Sequence, residues 1–201
     1  MRPQYLPVGW QEYHALAQKL AGDILSNQII VDEIVAIARG GLTLGHLLSD
    51  FLRIPISTIT IQSYTDIQSQ GKIKITAKLQ TSIKDKNILL ADDVADSGRT
   101  LKRAVTYLAS LCPRRIITAT MFYKPRSELR PDFFVQETTK WILFPYEPTE
   151  MLTLISQQLA KDGASENDAQ KILCSLGYTD EQIAFVKKYY FNKMVFPKTI
   201  K

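Results

Sequence analysis

Apolar positions along the chain follow two alternating rhythms. Residues 9–25 (GWQEYHALAQKLAGDIL) put Trp10, Tyr13, Leu16, Ala17, Leu20 and Ile24 on one face of a helix. Residues 34–38 (IVAIA) are wholly apolar and stop at Arg-Gly-Gly, the pattern of a short buried parallel strand. A helix over 42–52 follows, then a strand over 56–61, a strand over 87–91, a helix over 99–111 and a strand over 115–123. Shorter apolar pieces lie at 133–135 and 141–144. Strands alternating with helices predict βαβ units: an α/β fold with a mainly parallel sheet flanked by helices.

Two stretches break this rhythm. Residues 62–87 are long, polar and rich in Lys, Gln and Ser, the texture of a lid or binding loop, and the alternation in IKITAKL predicts a β-ribbon within it. After Pro148 the pattern becomes helical only, with Ser165 and Thr179 as N-caps and Gly163 and Gly177 as helix stops. The boundary is placed there, giving a domain over 1–148 and a small C-terminal helical extension over 149–201.

Composition narrows the class. With 201 residues and 45% hydrophobic content the chain suits one ordinary globular domain with an appendage. No apolar run reaches membrane-spanning length, and the first residues lack a secretory apolar core. Cys112 and Cys174 are the only cysteines, far apart and without metal-ligand spacing, as in a reducing, cytoplasmic setting. His14 and His46 lie within helices without a second ligand type at metal spacing and read as structural or surface residues. A net charge of +5 suits a polyphosphate ligand as well as nucleic acid, but no Lys/Arg block forms a nucleic-acid arm.

Candidate chemistry concentrates in ILLADDVADSGRT, residues 88–100. The carboxyl edge of a parallel strand is where open α/β sheets bind ligands. Asp96-Ser97-Gly98-Arg99-Thr100 opens the next helix, whose unpaired N–H groups and positive dipole end suit a phosphate. Gly98 allows close approach of the backbone, and Ser97 and Thr100 add hydroxyls. Asp92 and Asp93 repel phosphate but can accept hydrogen bonds from sugar hydroxyls or help to hold Mg²⁺. Together these needs describe a sugar phosphate. Taken singly, each acid also fits a turn and Asp96 or Ser97 a helix cap.

This ordered string resembles the ribose-phosphate signature of the type I phosphoribosyltransferases. The order of the neighbouring segments resembles the bacterial xanthine–guanine (6-oxopurine) branch: GWQEYHALAQKLA as its first helix, IVAIARGGLTLGHLLSDFLRIP as its pyrophosphate loop, ITIQSY as the lead-in to its mobile loop, MFYKP and WILFPYE as its base-recognition elements. The match is collinear over roughly 8–148 and absent over 149–201.

The resemblance implies the type I phosphoribosyltransferase fold and a purine-salvage glycosyltransferase of nucleotide metabolism. It would use phosphoribosyl pyrophosphate (PRPP), Mg²⁺ and a 6-oxopurine: guanine, hypoxanthine or xanthine. Arg39, Gly40 and Gly41 would hold pyrophosphate, with a non-proline cis peptide at Ala38–Arg39. Asp92 and Asp93 would hold ribose and metal, Asp96 to Thr100 the 5′-phosphate, and Asp96 would be the general base at purine N7. Lys124 would donate to the 6-oxygen, Trp141 would stack on the base and the Ile142 carbonyl would face its 2-substituent. Ser63, Tyr64, Lys72 and Lys74 belong to the mobile loop. A homodimer or homotetramer is implied. The chain departs from the pattern at Ala95, Ser97, Arg99 and Tyr146, which leaves purine preference open. Two other readings remain: a PRPP- or nucleotide-sensing regulator of the same fold that binds nucleic acid, and a transferase for another base.

Overall fold

In a computed structural model the described residues are 4–66 and 69–191, excepting the side chains of 63–72 and 191. The chain divides into two compact units, residues 14–139 and residues 1–13 with 140–201.

The larger unit is built on a six-stranded sheet. Its strands are β2 (Glu33–Ala38), β3 (Ile56–Asp66), β4 (Ser69–Ala77), β5 (Asn87–Ala95), β6 (Arg115–Tyr123) and β7 (Phe133–Glu137), in the order β4-β3-β2-β5-β6-β7. Every pairing is parallel except β3 with β4. The helices α2 (Gly40–Leu52) and α3 (Arg99–Ala109) form the crossovers that parallel strands require. The central strands are fully buried, as uninterrupted apolar runs demand: Ile34, Val35, Ala36, Ile88, Leu89, Leu90 and Ala91 have no exposed surface. Leu101, Ala104 and Leu108 of α3 pack with Val35, Ile37, Ile88 and Leu90 in one core.

Two elements run further than the apolar pattern indicates. Strand β5 continues through Asp92 and Asp93 to Ala95, because β6 supplies ladder partners as far as Tyr123. Most of the polar stretch after Ile61 is a hairpin of β3 and β4, with irregular register near Thr60 and near Tyr64. The backbone places Tyr64 opposite Lys72 and Gln62 opposite Lys74. The side chains of Ser63, Tyr64 and Lys72 lie outside the described atoms; Lys74 is exposed. The exposed His14 packs its ring edge-on against Phe51 at 5.3 Å.

The smaller unit pairs β1 (Tyr5–Pro7) in parallel with β8 (Trp141–Leu143). Such three-residue strands carry too little periodicity to be read from sequence. Helices α4 (Pro148–Lys161), α5 (Glu166–Ser175) and α6 (Asp180–Val186) bury Met151, Leu152, Ile155, Leu173, Tyr178 and Ile183 around Leu143. Ser165 caps α5, and Thr179 forms a reciprocal capping box with Gln182. A π-helical turn, Lys187–Phe191, follows α6. The helix α1 (Trp10–Ser26) begins in this unit and continues into the larger one. Among the described residues no helix is long and apolar enough to cross a membrane.

Candidate active site

Strands β2, β5 and β6 are adjacent and parallel, so their carboxyl ends bring three chain segments to one edge. At the end of β2 the Ala38–Arg39 peptide is cis, and α2 starts at Gly40 with no side-chain cap. Its first turn lies against β5. A Cβ on Gly40 would fall 2.5 Å from the Asp93 carboxyl carbon and 2.8 Å from Oδ1. A Cβ on Gly41 would fall 2.5 Å from the Ala91 carbonyl oxygen and 3.0 Å from the Asp92 Cα. At Gly41 a Cβ would meet strand backbone, so a glycine is required for the helix start to touch β5, and at Gly40 the missing side chain leaves room for the Asp93 carboxylate.

Asp92 is 8% exposed and its Oδ1 accepts the Asp93 N–H at 3.1 Å. Burial first, and the charge of Asp93 second, push its carboxyl well above the usual carboxylate range. Asp93 accepts the Val94 N–H at 2.6 Å. Two adjacent acids of which one resists ionisation form a donor set that a divalent cation relieves. Among the described residues no group of three His, Cys, Asp or Glu side chains forms a closed cage. Such a pair suits Mg²⁺, which is commonly held by one or two carboxylates together with substrate phosphates.

After β5 the chain turns at Gly98, whose φ of 75° is left-handed. Gly98 is the N-cap of α3, and no side chain caps the helix. A Cβ there would strike Ser127 Oγ and lie 2.7 Å from the Leu129 nitrogen and 2.9 Å from the Glu128 nitrogen. The loop after β6 therefore packs directly on the start of α3; the Glu128 N–H donates to the Ser97 carbonyl at 2.9 Å. Ser97 is exposed, and its Oγ accepts the Arg99 N–H at 3.4 Å. The N-cap residue offers no side chain of its own, and the N–H groups and positive dipole end at this helix start form the arrangement that binds anions.

Lys124 is the buried cation of this edge, 5% exposed. Its Nζ donates to Asp96 Oδ2 at 2.9 Å, and its backbone N–H donates to the Ala95 carbonyl at 3.0 Å. Arg126 also donates to Asp96, through Nε at 2.7 Å and through Nη2, both to Oδ1. Burial pushes the Asp96 carboxyl up, but the hydrogen bonds and charges of Lys124 and Arg126 together outweigh it and hold the group below its ordinary value. The sequence reading did not include Arg126. A second cation two residues after Lys124 was the available signal, but the partner lies 30 residues back along the chain.

Sequence analysis expected Arg39–Gly41, Asp92, Asp93, Asp96–Thr100 and Lys124 in one site, and all of them lie in the larger unit. Trp141 and Ile142 lie on β8 in the smaller unit. The Trp141 side chain is 48% exposed and its indole N–H donates to Met151 Sδ at 3.3 Å, whereas Ile142 is buried.

The phosphoribosyl transferase domain family model matches residues 9–150. A purine phosphoribosyltransferase from Pyrococcus horikoshii Ot3 is similar at 31% identity and TM-score 0.65, over 71% of this chain and 94% of that one. The Helicobacter pylori xanthine-guanine-hypoxanthine phosphoribosyltransferase is similar at 24% identity and TM-score 0.63, over 76% and 99%. A Neisseria gonorrhoeae protein whose structure contains ppGpp shares the fold at 22% identity and TM-score 0.67, over 73% and 91%. The fold, the two helix starts flanking the acids of β5 and the family match over most of the chain agree: this chain belongs to the phosphoribosyltransferase family.

Proposed function

We propose that the protein transfers the 5-phosphoribosyl group of PRPP to a 6-oxopurine with release of pyrophosphate, in purine salvage in the cytoplasm. The observation that carries this reading is the contact of Gly40 with the Asp93 carboxylate, which joins a pyrophosphate-type loop to a ribose-type acid pair. The 31% identity to the Pyrococcus horikoshii purine enzyme supports the substrate class.

In this reading a purine nitrogen attacks the anomeric carbon, the bond from that carbon to the pyrophosphate oxygen breaks, and the purine proton passes to solvent water, with the Asp96 carboxylate stabilising the positive charge that builds on the base. Glycine N–H groups at 40 and 41, with Arg39, receive the departing pyrophosphate. Asp92 and Asp93 orient the ribose, and the start of α3 with Ser97, Gly98, Arg99 and Thr100 holds the 5′-phosphate. Asp92 and Asp93 would help to hold Mg²⁺, whose positive charge would offset the negative charge of the leaving group. Lys124 donates to the purine 6-oxygen, which an exocyclic 6-amino group would not accept. Trp141 offers a half-exposed aromatic face for stacking, beside the Ile142 backbone. Asp96 faces purine N7; its lowered pKa favours a fixed carboxylate over a strong proton acceptor. The hairpin of β3 and β4, carrying Ser63, Tyr64, Lys72 and Lys74, would close to exclude water. Residues 1–148 would form the catalytic part and 149–201 an extension, a division supported by the family match ending at residue 150. A homo-oligomer is proposed with it.

The test is incubation with PRPP and Mg²⁺ and, in turn, hypoxanthine, guanine, xanthine, adenine and uracil, following nucleotide formation. Turnover of one or more 6-oxopurines is expected. No turnover with any base would sink the reading, and turnover of adenine alone would remove Lys124 from its role.

A further inference from the structure

The two oxygens of Asp96 are divided between two cations. Lys124 Nζ takes Oδ2 at 2.9 Å, and the Arg126 guanidinium takes Oδ1 through two N–H groups. The cations differ in placement. Lys124 is buried, whereas the Arg126 side chain is 67% exposed on the solvent side of the same carboxylate. Because the pairs use different oxygens, the Arg126 pair can persist when the ammonium turns towards another acceptor. Guanidinium stays charged at any working pH and presents a rigid planar fork.

We propose that Arg126 is a positioning residue: it holds Asp96 in place as an anion while Lys124 engages substrate. Asp96 then acts as a fixed negative charge beside the reacting purine. The inference rests on the transferase reading above for what Lys124 engages.

The charged surroundings agree with this assignment. On β5, Asp92 and Asp93 precede Asp96 and are engaged by backbone N–H groups. On α3, Arg99 opens the helix and Lys102 Nζ pairs with Glu128 at 3.3 Å. From the loop after β6 come Lys124, Arg126 and Glu128. Of these groups Lys124 and Arg126 hydrogen-bond to the Asp96 carboxylate, and their combined pull outweighs the burial that would otherwise raise its pKa. A guanidinium this close lowers the Asp96 titration whatever its role, so the readout that separates a positioning Arg126 from a surface ion pair is the acid limb of kcat, which a purely structural pair would leave unmoved.

The experiment compares wild type with Arg126→Gln and Arg126→Lys, reading the Asp96 carboxyl carbon by NMR titration and kcat for a 6-oxopurine across pH. Removing the guanidinium is expected to raise the Asp96 titration by about one pH unit, the lower end for loss of an adjacent opposite charge. The acid limb of kcat should rise by the same amount, with KM for PRPP little changed, and Arg126→Lys should restore most of both. An Asp96 titration that stays at its wild-type pH in Arg126→Gln overturns the proposal. So does a titration that moves while the acid limb does not. If the wild type turns over no purine, the transferase reading fails on its own, and the carboxyl titration still decides whether Arg126 sets the charge of Asp96.

Discussion

Gly40 and Asp93, on different elements and 53 positions apart by number, lie so close that a Cβ on the glycine would sit 2.5 Å from the carboxyl carbon of the acid. The start of α2 and the acid pair of β5 thus form one surface. Gly40→Ala should displace Asp93 or lift the helix start by about an ångström, and a shift of that size costs on the order of 10²-fold in rate. The check is kcat/KM for PRPP beside a thermal melt. An unchanged kcat/KM in a folded variant would separate the two groups functionally.

Gly98 makes a second close approach, and its φ of 75° adds backbone strain for any side chain. Gly98→Ala should destabilise by about 1–3 kcal/mol, the scale for a residue forced into a sparsely populated backbone region. Because the Cβ also pushes against Ser127 and the nitrogens of Glu128 and Leu129, the loop carrying Lys124 and Arg126 should shift, raising KM for PRPP. Denaturant unfolding and steady-state kinetics test the two effects. A variant as stable as wild type, with unchanged KM, is the contrary result.

The far end of β2 offers a pH test away from the site. Glu33 is buried and accepts hydrogen bonds from Thr81 and Lys86, each at 2.8 Å, and from Ser57. Burial pushes its carboxyl up, but the bonds from Lys86, Ser57 and Thr81 outweigh it, so the folded pKa lies below the ordinary value. A depressed carboxylate contributes stability that is present above the unfolded pKa of about 4.3 and is lost as pH falls through the folded value. Glu33→Gln should therefore lower the melting temperature at pH 7 and narrow its gap to wild type in acid, with kcat at pH 7 unchanged. A gap of equal size at pH 7 and pH 3 would show that the Glu33 charge contributes nothing.

What was legible in the sequence was what local pattern encodes. Apolar runs ending in Gly-Gly or Asp-Asp marked the buried parallel strands, and the strand-then-helix order put Arg39–Gly41 and Asp92–Thr100 on one sheet edge. The helix caps Ser165 and Thr179 were readable because a cap is a matter of four residues. What depends on partners far along the chain was not. The acids of β5 lie inside the strand because β6 pairs with them, a fact of register that 88–100 does not contain. Pairing of β1 with β8 joins the start of the chain to residue 141 through three positions on each side. The family resemblance assigns Lys124 to substrate, but that Asp96 lies within its reach, and that Arg126 shares the acid, follows only from the fold, which brings together residues 28 and 30 positions apart.

Lys124 carries the most discriminating prediction about substrate. Its ammonium is the nearly buried cation at the site edge, and Lys124→Met keeps most of the side-chain bulk while removing the charge. A charged hydrogen bond contributes about 1.5–3 kcal/mol, so kcat/KM for hypoxanthine or guanine should fall roughly 10- to 100-fold. Loss of the ion pair with Asp96 will also disturb the site, which lowers turnover of every base alike. The informative quantity is therefore the ratio of 6-oxopurine to adenine turnover within the one variant, from which a general loss cancels. That ratio should collapse towards unity. If it holds at the wild-type value while both rates fall, Lys124 serves Asp96 alone and the choice of base is made elsewhere.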